Sequence, residues 1–322
     1  MLKDRSFISL VLFFPFLVLA VALKPRPVPV VVLPISSDQV RQSGAAGEQF
    51  WVLKTHGKAR FDMILMGDSR VYRGLSPEAM ESVLSDYRIF NFGYSGGGLD
   101  LVMYAAAERR LDPGSDHQSI VFGVTPLALT PYAAKNEHYL QELNRPSDYV
   151  FLRLYWLPLV HSLEALDIRN IPNVFTGDSK SRMQGGYYQE FHDDGWIASW
   201  SIPEDLYRTL PSFRDIFSQT PVSQKLVLEL MDQTRLWTAG GVKVYGFRVP
   251  SSQAMVALED QMSGFDETAF IEQFKSAGGI WFSIPLEPYH SFDGSHLTKQ
   301  AAQQLSVDLA KLIQDTLEEI TP

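Results

Sequence analysis

The chain has 322 residues, 45% of them hydrophobic, enough for one large globular domain or two smaller ones. Its net charge of −9 and the lack of a basic cluster argue against nucleic acid as a partner. The absence of cysteine excludes disulfides, thiol catalysis and cysteine metal sites.

Lys3 and Arg5 precede an apolar run of 17 residues from Phe7 to Leu23, interrupted only by Ser9 and Pro15. Basic residues before an apolar core mark an export signal. A bilayer crossing takes about 20 residues, so this length favours a retained anchor over residues 1–24. Cleavage after the small-x-small pattern Ala20-Val21-Ala22, and secretion, is the alternative. The expected location is the cell membrane, with one N-terminal span and the rest of the chain outside the cytoplasm.

Lys24 to Ile35 holds four prolines and reads as an extended spacer. Residues 36–60 are polar around Phe50-Trp51-Val52-Leu53 and read as a lead-in helix. From Phe61 strands alternate with helices. Strands are expected at Asp62–Met66, Arg88–Asn91, Ser119–Gly123, Val242–Phe247 and Ile280–Ile284. Helices are expected from about Ser76, and over Leu99–Arg110, Ser223–Trp237, Asp266–Ala277 and Thr298–Glu319. This alternation predicts an α/β fold, a three-layer α/β/α sandwich around a parallel five-stranded sheet, spanning 61–322. A long insertion over about 126–221 separates the third and fourth strands. It is rich in Tyr and Trp, lacks clear strands, and holds one predicted helix over Tyr149–Leu166.

The chemistry gathers at the ends of two strands. Met63-Ile64-Leu65-Met66 runs into Gly67-Asp68-Ser69-Arg70, which places a serine at the carboxyl end of a buried strand, where open α/β sheets bind ligands. Such a serine is a candidate nucleophile if a base reaches it. Asp293-Gly294-Ser295-His296, after the last strand, supplies one: Asp293 orients the ring of His296, whose other nitrogen takes the serine proton. The amides of Ser69 and Gly96, the latter in the loop Gly93-Tyr94-Ser95-Gly96-Gly97-Gly98, are candidate donors to an oxyanion. Arg70, Arg73 and Arg248 stand near the same edge as candidate substrate-binding cations.

These residues together resemble the SGNH/GDSL hydrolase superfamily, of flavodoxin-like fold. Gly67-Asp68-Ser69 looks like its first block and Asn91-Phe92-Gly93-Tyr94-Ser95-Gly96 its second; Asp293-Gly294-Ser295-His296 is similar to its last. Where the family has Gly-x-Asn-Asp, this chain has Gly123-Val124-Thr125-Pro126, so Thr125 stands in for the asparagine that donates to the oxyanion. The resemblance implies a serine esterase or O-acyltransferase that needs no cofactor and no metal. Its membrane-anchored members with a diverged third block resemble surface-polysaccharide O-acetylation proteins. That implies an acylated carbohydrate or other ester as substrate, with a membrane acyl-transfer protein as the acyl-donating partner. The alternatives are a general exported esterase or lipase, and a catalytically silent scaffold of an envelope polysaccharide complex.

Two further groupings carry no site, the first read as a solvated turn and the second as a polar loop. Gly177-Asp178-Ser179 repeats the tripeptide without a strand before it, and His192-Asp193-Asp194 lacks a recognised ligand spacing.

Overall fold

The computed structural model describes residues 33–35, 44–156 and 186–320. They fall into two units, one formed by residues 146–156 and the other by the remainder. In the small unit an α-helix, Ser147–Phe151, continues as a π-helical segment, Leu152–Trp156, with the Phe151 and Tyr155 rings 5.4 Å apart. The rest of the helix expected to Leu166 lies outside the described residues, as does Gly177-Asp178-Ser179.

The large unit is an α/β fold around a five-stranded parallel sheet. Its strands are β2 (Met63–Met66), β3 (Ile89–Asn91), β4 (Ser119–Val124), β7 (Lys243–Arg248) and β8 (Ile280–Phe282), in the order β3-β2-β4-β7-β8. Counted within the sheet this is 2-1-3-4-5, the flavodoxin-like order. All four residues of β2 and all six of β4 are buried, as strands covered on both faces must be. Alternate residues feed two cores. Ile64, Met66, Ile120 and Phe122 pack against α4 (Leu101–Glu108), α6 (Gln224–Ala239) and α8 (Glu267–Ser276) through Met103, Leu230, Trp237 and Phe274. Met63, Leu65, Val121 and Phe247 pack against α2 (Ser69–Gly74), α3 (Pro77–Glu81) and α9 (Lys299–Ile320) through Val71, Met80, Leu305, Leu309 and Ile313.

The insertion between β4 and β7 departs from expectation by containing strands. β5 (Gly186–Phe191) and β6 (Ile197–Ile202) form an antiparallel hairpin, and β1 (Leu33–Ile35) pairs with β5, so the end of the expected spacer is a strand. The alternation is hidden in the sequence because buried positions are polar: Glu190 and Ser199 are buried on opposite faces of the hairpin, and Glu190 accepts from Lys299 at 2.6 Å. His192-Asp193-Asp194 is the hairpin turn. The Asp194 backbone carbonyl accepts from the amide of Asn91, which docks the turn on the edge strand β3.

The expected lead-in helix is α1 (Gly44–His56). It reaches this turn through Lys54, whose buried ammonium donates to the Gly195 carbonyl at 2.7 Å. The rings of Phe50, Trp51, Tyr72 and Tyr94 surround it at 5.4–5.5 Å. Burial pushes the Lys54 ammonium well below its ordinary range, and pushes the neighbouring Asp194 carboxyl up to about 7.

The membrane location is corrected. Among the described residues no helix is long and apolar enough to cross a membrane. The longest, α9, buries one apolar stripe and carries Asp308, Lys311, Asp315, Glu318 and Glu319 elsewhere. The run Phe7–Leu23 lies outside the described residues, so no anchor is shown.

Leu305 is fully buried where α9 meets the sheet. Leu305→Ala is expected to cost about 2–5 kcal/mol of unfolding free energy, read as a lower urea midpoint with an unchanged slope.

Candidate active site

Ser69 owes its position to the turn that ends β2. Gly67 has φ +155°, and a Cβ there would stand 2.3 Å from Val71 Cγ2 and 2.7 Å from the Gly123 carbonyl oxygen, so only glycine lets β2 turn this close to β4. Asp68 then caps α2: its Oδ1 accepts from the Arg70 amide at 2.8 Å. Ser69 is the first residue of the helix and is 9% exposed.

The second arm comes from the loop between β8 and α9. Asp293 Oδ1 accepts from the amides of Ser295 at 3.0 Å and His296 at 2.8 Å, which bends the chain around Gly294. Gly294 has φ +90°, and a Cβ on it would meet the Leu206 carbonyl at 2.1 Å. Asp293 Oδ2 lies 2.8 Å from His296 Nδ1, and His296 Nε2 lies 2.8 Å from Ser69 Oγ. An ionised carboxylate only accepts, so Nδ1 carries the ring proton, Nε2 is left as acceptor, and the Ser69 hydroxyl donates to it. Ser291 Oγ and the Phe292 amide both donate to the His296 carbonyl, at 2.9 and 3.0 Å, and the Phe292 ring stacks on the imidazole with centroids 6.1 Å apart.

The electrostatics keep the pair ready. For Asp293 burial alone raises the carboxyl pKa. The hydrogen bond and charge of His296 and the two amides outweigh it and hold the carboxyl at about 2. His296 is lowered below 6.5, first by burial and then by the Arg73 charge, against the raising effect of Asp293. Both depressed values stabilise the fold at higher pH. The Asp293 contribution, roughly 2 kcal/mol, is full above 3.8 and is lost as pH falls through about 2. The His296 contribution is full above 6.5 and declines as pH drops below it, because the unfolded ring then binds a proton that the folded ring resists.

Among the described residues neither the Ser69 nor the Gly96 amide has a hydrogen-bond acceptor. The glycine loop lies against the serine turn: the Tyr94 amide donates to the Gly67 carbonyl at 3.2 Å, and a Cβ on Gly93 would meet the Tyr72 amide at 2.8 Å. Thr125 differs from its expected role. Its hydroxyl donates to Asp68 Oδ2 at 2.6 Å and accepts from the Ala128 amide at 3.1 Å, so its one proton braces the cap of α2 and is not offered to an oxyanion.

Two of the three candidate arginines are corrected as well. Arg70 is 2% exposed and pairs with Glu259, itself fully buried; the Arg70 guanidinium lies over the Phe213 ring of α5 (Leu210–Gln219). Arg248 bonds Glu259, Asp260 and Glu267 at 3.1, 2.8 and 2.6 Å. Arg70 is committed inside the protein, and Arg248, though part-exposed, is committed to three carboxylates. Arg73 is part-exposed and lies against Tyr72 and Tyr187, with its guanidinium carbon 5.1 and 5.5 Å from their ring centroids.

Residues outside the sequence-based set complete the surroundings. Trp196 donates from Nε1 to the Arg73 carbonyl at 2.9 Å, and Tyr187 packs on Phe292 at 6.0 Å. Glu259 carried a legible signal, an acid within the buried stripe Met255, Leu258 and Glu259 of α7 (Gln253–Met262). Tyr187 and Trp196 were legible only as members of the Tyr- and Trp-rich insertion, whose rings could stack on sugars; their place beside Arg73 was not, because polar positions hide the hairpin.

No protein-family model matches the sequence, and no curated protein matches it. Among solved structures the chain is similar to a carbohydrate acetylesterase family member from Sinorhizobium meliloti. The identity is 10% over 80% of this chain and 99% of that one, with a TM-score of 0.36. It is also similar to a proposed platelet activating factor from Streptococcus pneumonia, at 12% identity over 86% of this chain and 97% of that one, with a TM-score of 0.33.

The His296 ring is expected to titrate with a midpoint below 6.5, measured by NMR of the labelled imidazole. Asp293→Asn removes the charge that supports the imidazolium, so the midpoint moves further down; a rise in that variant contradicts the assignment.

Proposed function

We propose that the protein is a serine acyl-ester enzyme, acting on acylated carbohydrate and passing the acyl group to water or to a carbohydrate hydroxyl. The observation that carries this reading is the unbroken hydrogen-bond chain from Asp293 through His296 to Ser69, 2.8 Å at each step. In this mechanism Ser69 Oγ attacks the ester carbonyl carbon as its proton passes to His296 Nε2. The carbonyl oxygen becomes an oxyanion and is held by the Ser69 and Gly96 amides. The intermediate collapses, the C–O bond to the alcohol breaks, and the alcohol oxygen leaves with the proton from Nε2. Water or a sugar hydroxyl then gives its proton to Nε2 and attacks the acyl-serine, and Ser69 recovers its proton as the product departs. Asp293, with its carboxyl held at about 2, stays ionised throughout and stabilises the imidazolium.

Support for a carbohydrate comes from Tyr187, a part-exposed ring beside Phe292 that suits contact with the face of a sugar. Hydrolysis and transfer share every step to the acyl-serine, so the acceptor alone separates them.

A fluorophosphonate probe is expected to label Ser69 in the folded protein and to miss Ser69→Ala. Ser69→Ala and His296→Ala are each expected to lose at least ~1,000-fold in kcat on 4-nitrophenyl acetate while keeping the native melting temperature within a few degrees. Folded protein that neither takes the probe nor turns over the ester rejects the proposal. Acetylated oligosaccharide incubated with an unacetylated acceptor then distinguishes free acetate from acetylated acceptor.

A further inference from the structure

Three arginines stand around the serine turn, and their partners divide them. Arg70 has Glu259, and Arg248 has Glu259, Asp260 and Glu267. Arg73 has no carboxylate within ion-pair distance among the described residues. Its Nε is shielded from solvent with no hydrogen-bond partner, as are those of Arg70 and Arg248, so the missing carboxylate is what sets Arg73 apart. Arg73 feels the charge of Asp293, but both oxygens of that group are already taken by two amides and the His296 ring. The rings of Tyr72 and Tyr187 favour the cation, both phenols interact with it and the Tyr72 hydroxyl bonds it, but neither residue supplies the carboxylate that Arg70 and Arg248 have.

Position turns this unmatched charge into a site. Ser69 and Arg73 are four residues apart on α2, and therefore on one face of the helix, about one 5.4 Å turn from each other. His296 feels the Arg73 charge directly. A group held by Arg73 thus sits within a few bonds of an ester carbonyl attacked by Ser69. We infer that Arg73 forms a subsite for a carboxylate carried by the alcohol portion of the ester, so that the substrate is an acylated acidic sugar or other hydroxy acid. This rests on the serine-ester reading above. The planar fork of a guanidinium matches a carboxylate with two parallel hydrogen bonds. A monoanion is preferred over a phosphate dianion because Asp68 and Asp293 already place two carboxylates beside the site.

The test compares 3-acetoxybenzoate with 3-acetoxybenzamide, which share the acetyl ester and differ in the charge, using the full chain and its Arg73→Gln and Arg73→Lys variants. The quantity read is the ratio of kcat/KM for the acid to that for the amide, in which intrinsic ester reactivity cancels between variants. The wild-type ratio is expected to exceed that of Arg73→Gln at least tenfold, with the difference in KM, to shrink as salt rises, and to recover in part in Arg73→Lys. 3-Acetoxyphenyl phosphate is expected to gain less from Arg73 than the carboxylate does. In the wild type alone, benzoate is expected to inhibit amide turnover at least tenfold more tightly than benzamide, which covers the case where a variant fails to fold. Ratios equal within twofold, with benzoate and benzamide inhibiting alike, overturn the inference and leave the esterase reading intact. No turnover of either ester together with no fluorophosphonate labelling overturns the esterase reading, and the substrate role of Arg73 with it.

Discussion

The contact on which the site depends joins Ser69 to His296 across 227 positions of chain. It exists because β2 and β8 run parallel and end at the same edge of the sheet. They are not neighbours: β4 and β7 lie between them, so three strand spacings, about 14 Å, separate their ends. The loop after β8 closes that gap by travelling back over the edge before α9 begins, and α9 packs on α2 and α3 to hold it there. The entropy of closing so long a segment grows only slowly with length. What sets the hydrogen bond is the packing of α9 against α2, on either side of which the two side chains stand.

Charge is distributed around this contact with little left over. Glu259 is fully buried and bonds both Arg70 and Arg248, tying α7 to α2 and to the end of β7. A buried ion pair gains little net stability once its desolvation is counted, whereas losing one partner strands the other. Its contribution here is therefore geometric: it fixes the residue next to Ser69. Thr125 does the same from β4 by holding the free oxygen of Asp68. Both carboxylates beside the serine are satisfied by donors other than the serine itself, which leaves His296 as the only acceptor of the Ser69 proton among the described residues.

Much of the frame was legible in the sequence because its signals are local. Met63–Met66 and Ser119–Val124 are continuous apolar runs, and only strands covered on both faces are written that way. The spacing of Asp293 and His296 is a property of one turn, and the turn forms as read. The fate of the arginines was not legible, because Arg70 finds its partner 189 positions away and nothing next to it separates it from Arg73. Thr125 misled for a related reason: its place after β4 was correctly read, but the direction of one hydroxyl proton depends on Asp68. The hairpin escaped notice because Glu190 and Ser199 interrupt the apolar alternation that would mark it.

The surroundings of Ser69 are drawn from structures under different degrees of restraint. Ser69 and Arg73 ride on a short helix gripped by the sheet, and His296 on a loop pinned by Asp293. Tyr187, by contrast, belongs to the hairpin between β4 and β7, whose length and content leave strand order untouched. Descendants of this chain can therefore rewrite that excursion, and with it the surface beside Arg73, while inheriting the arrangement of Ser69, His296 and Asp293 unchanged.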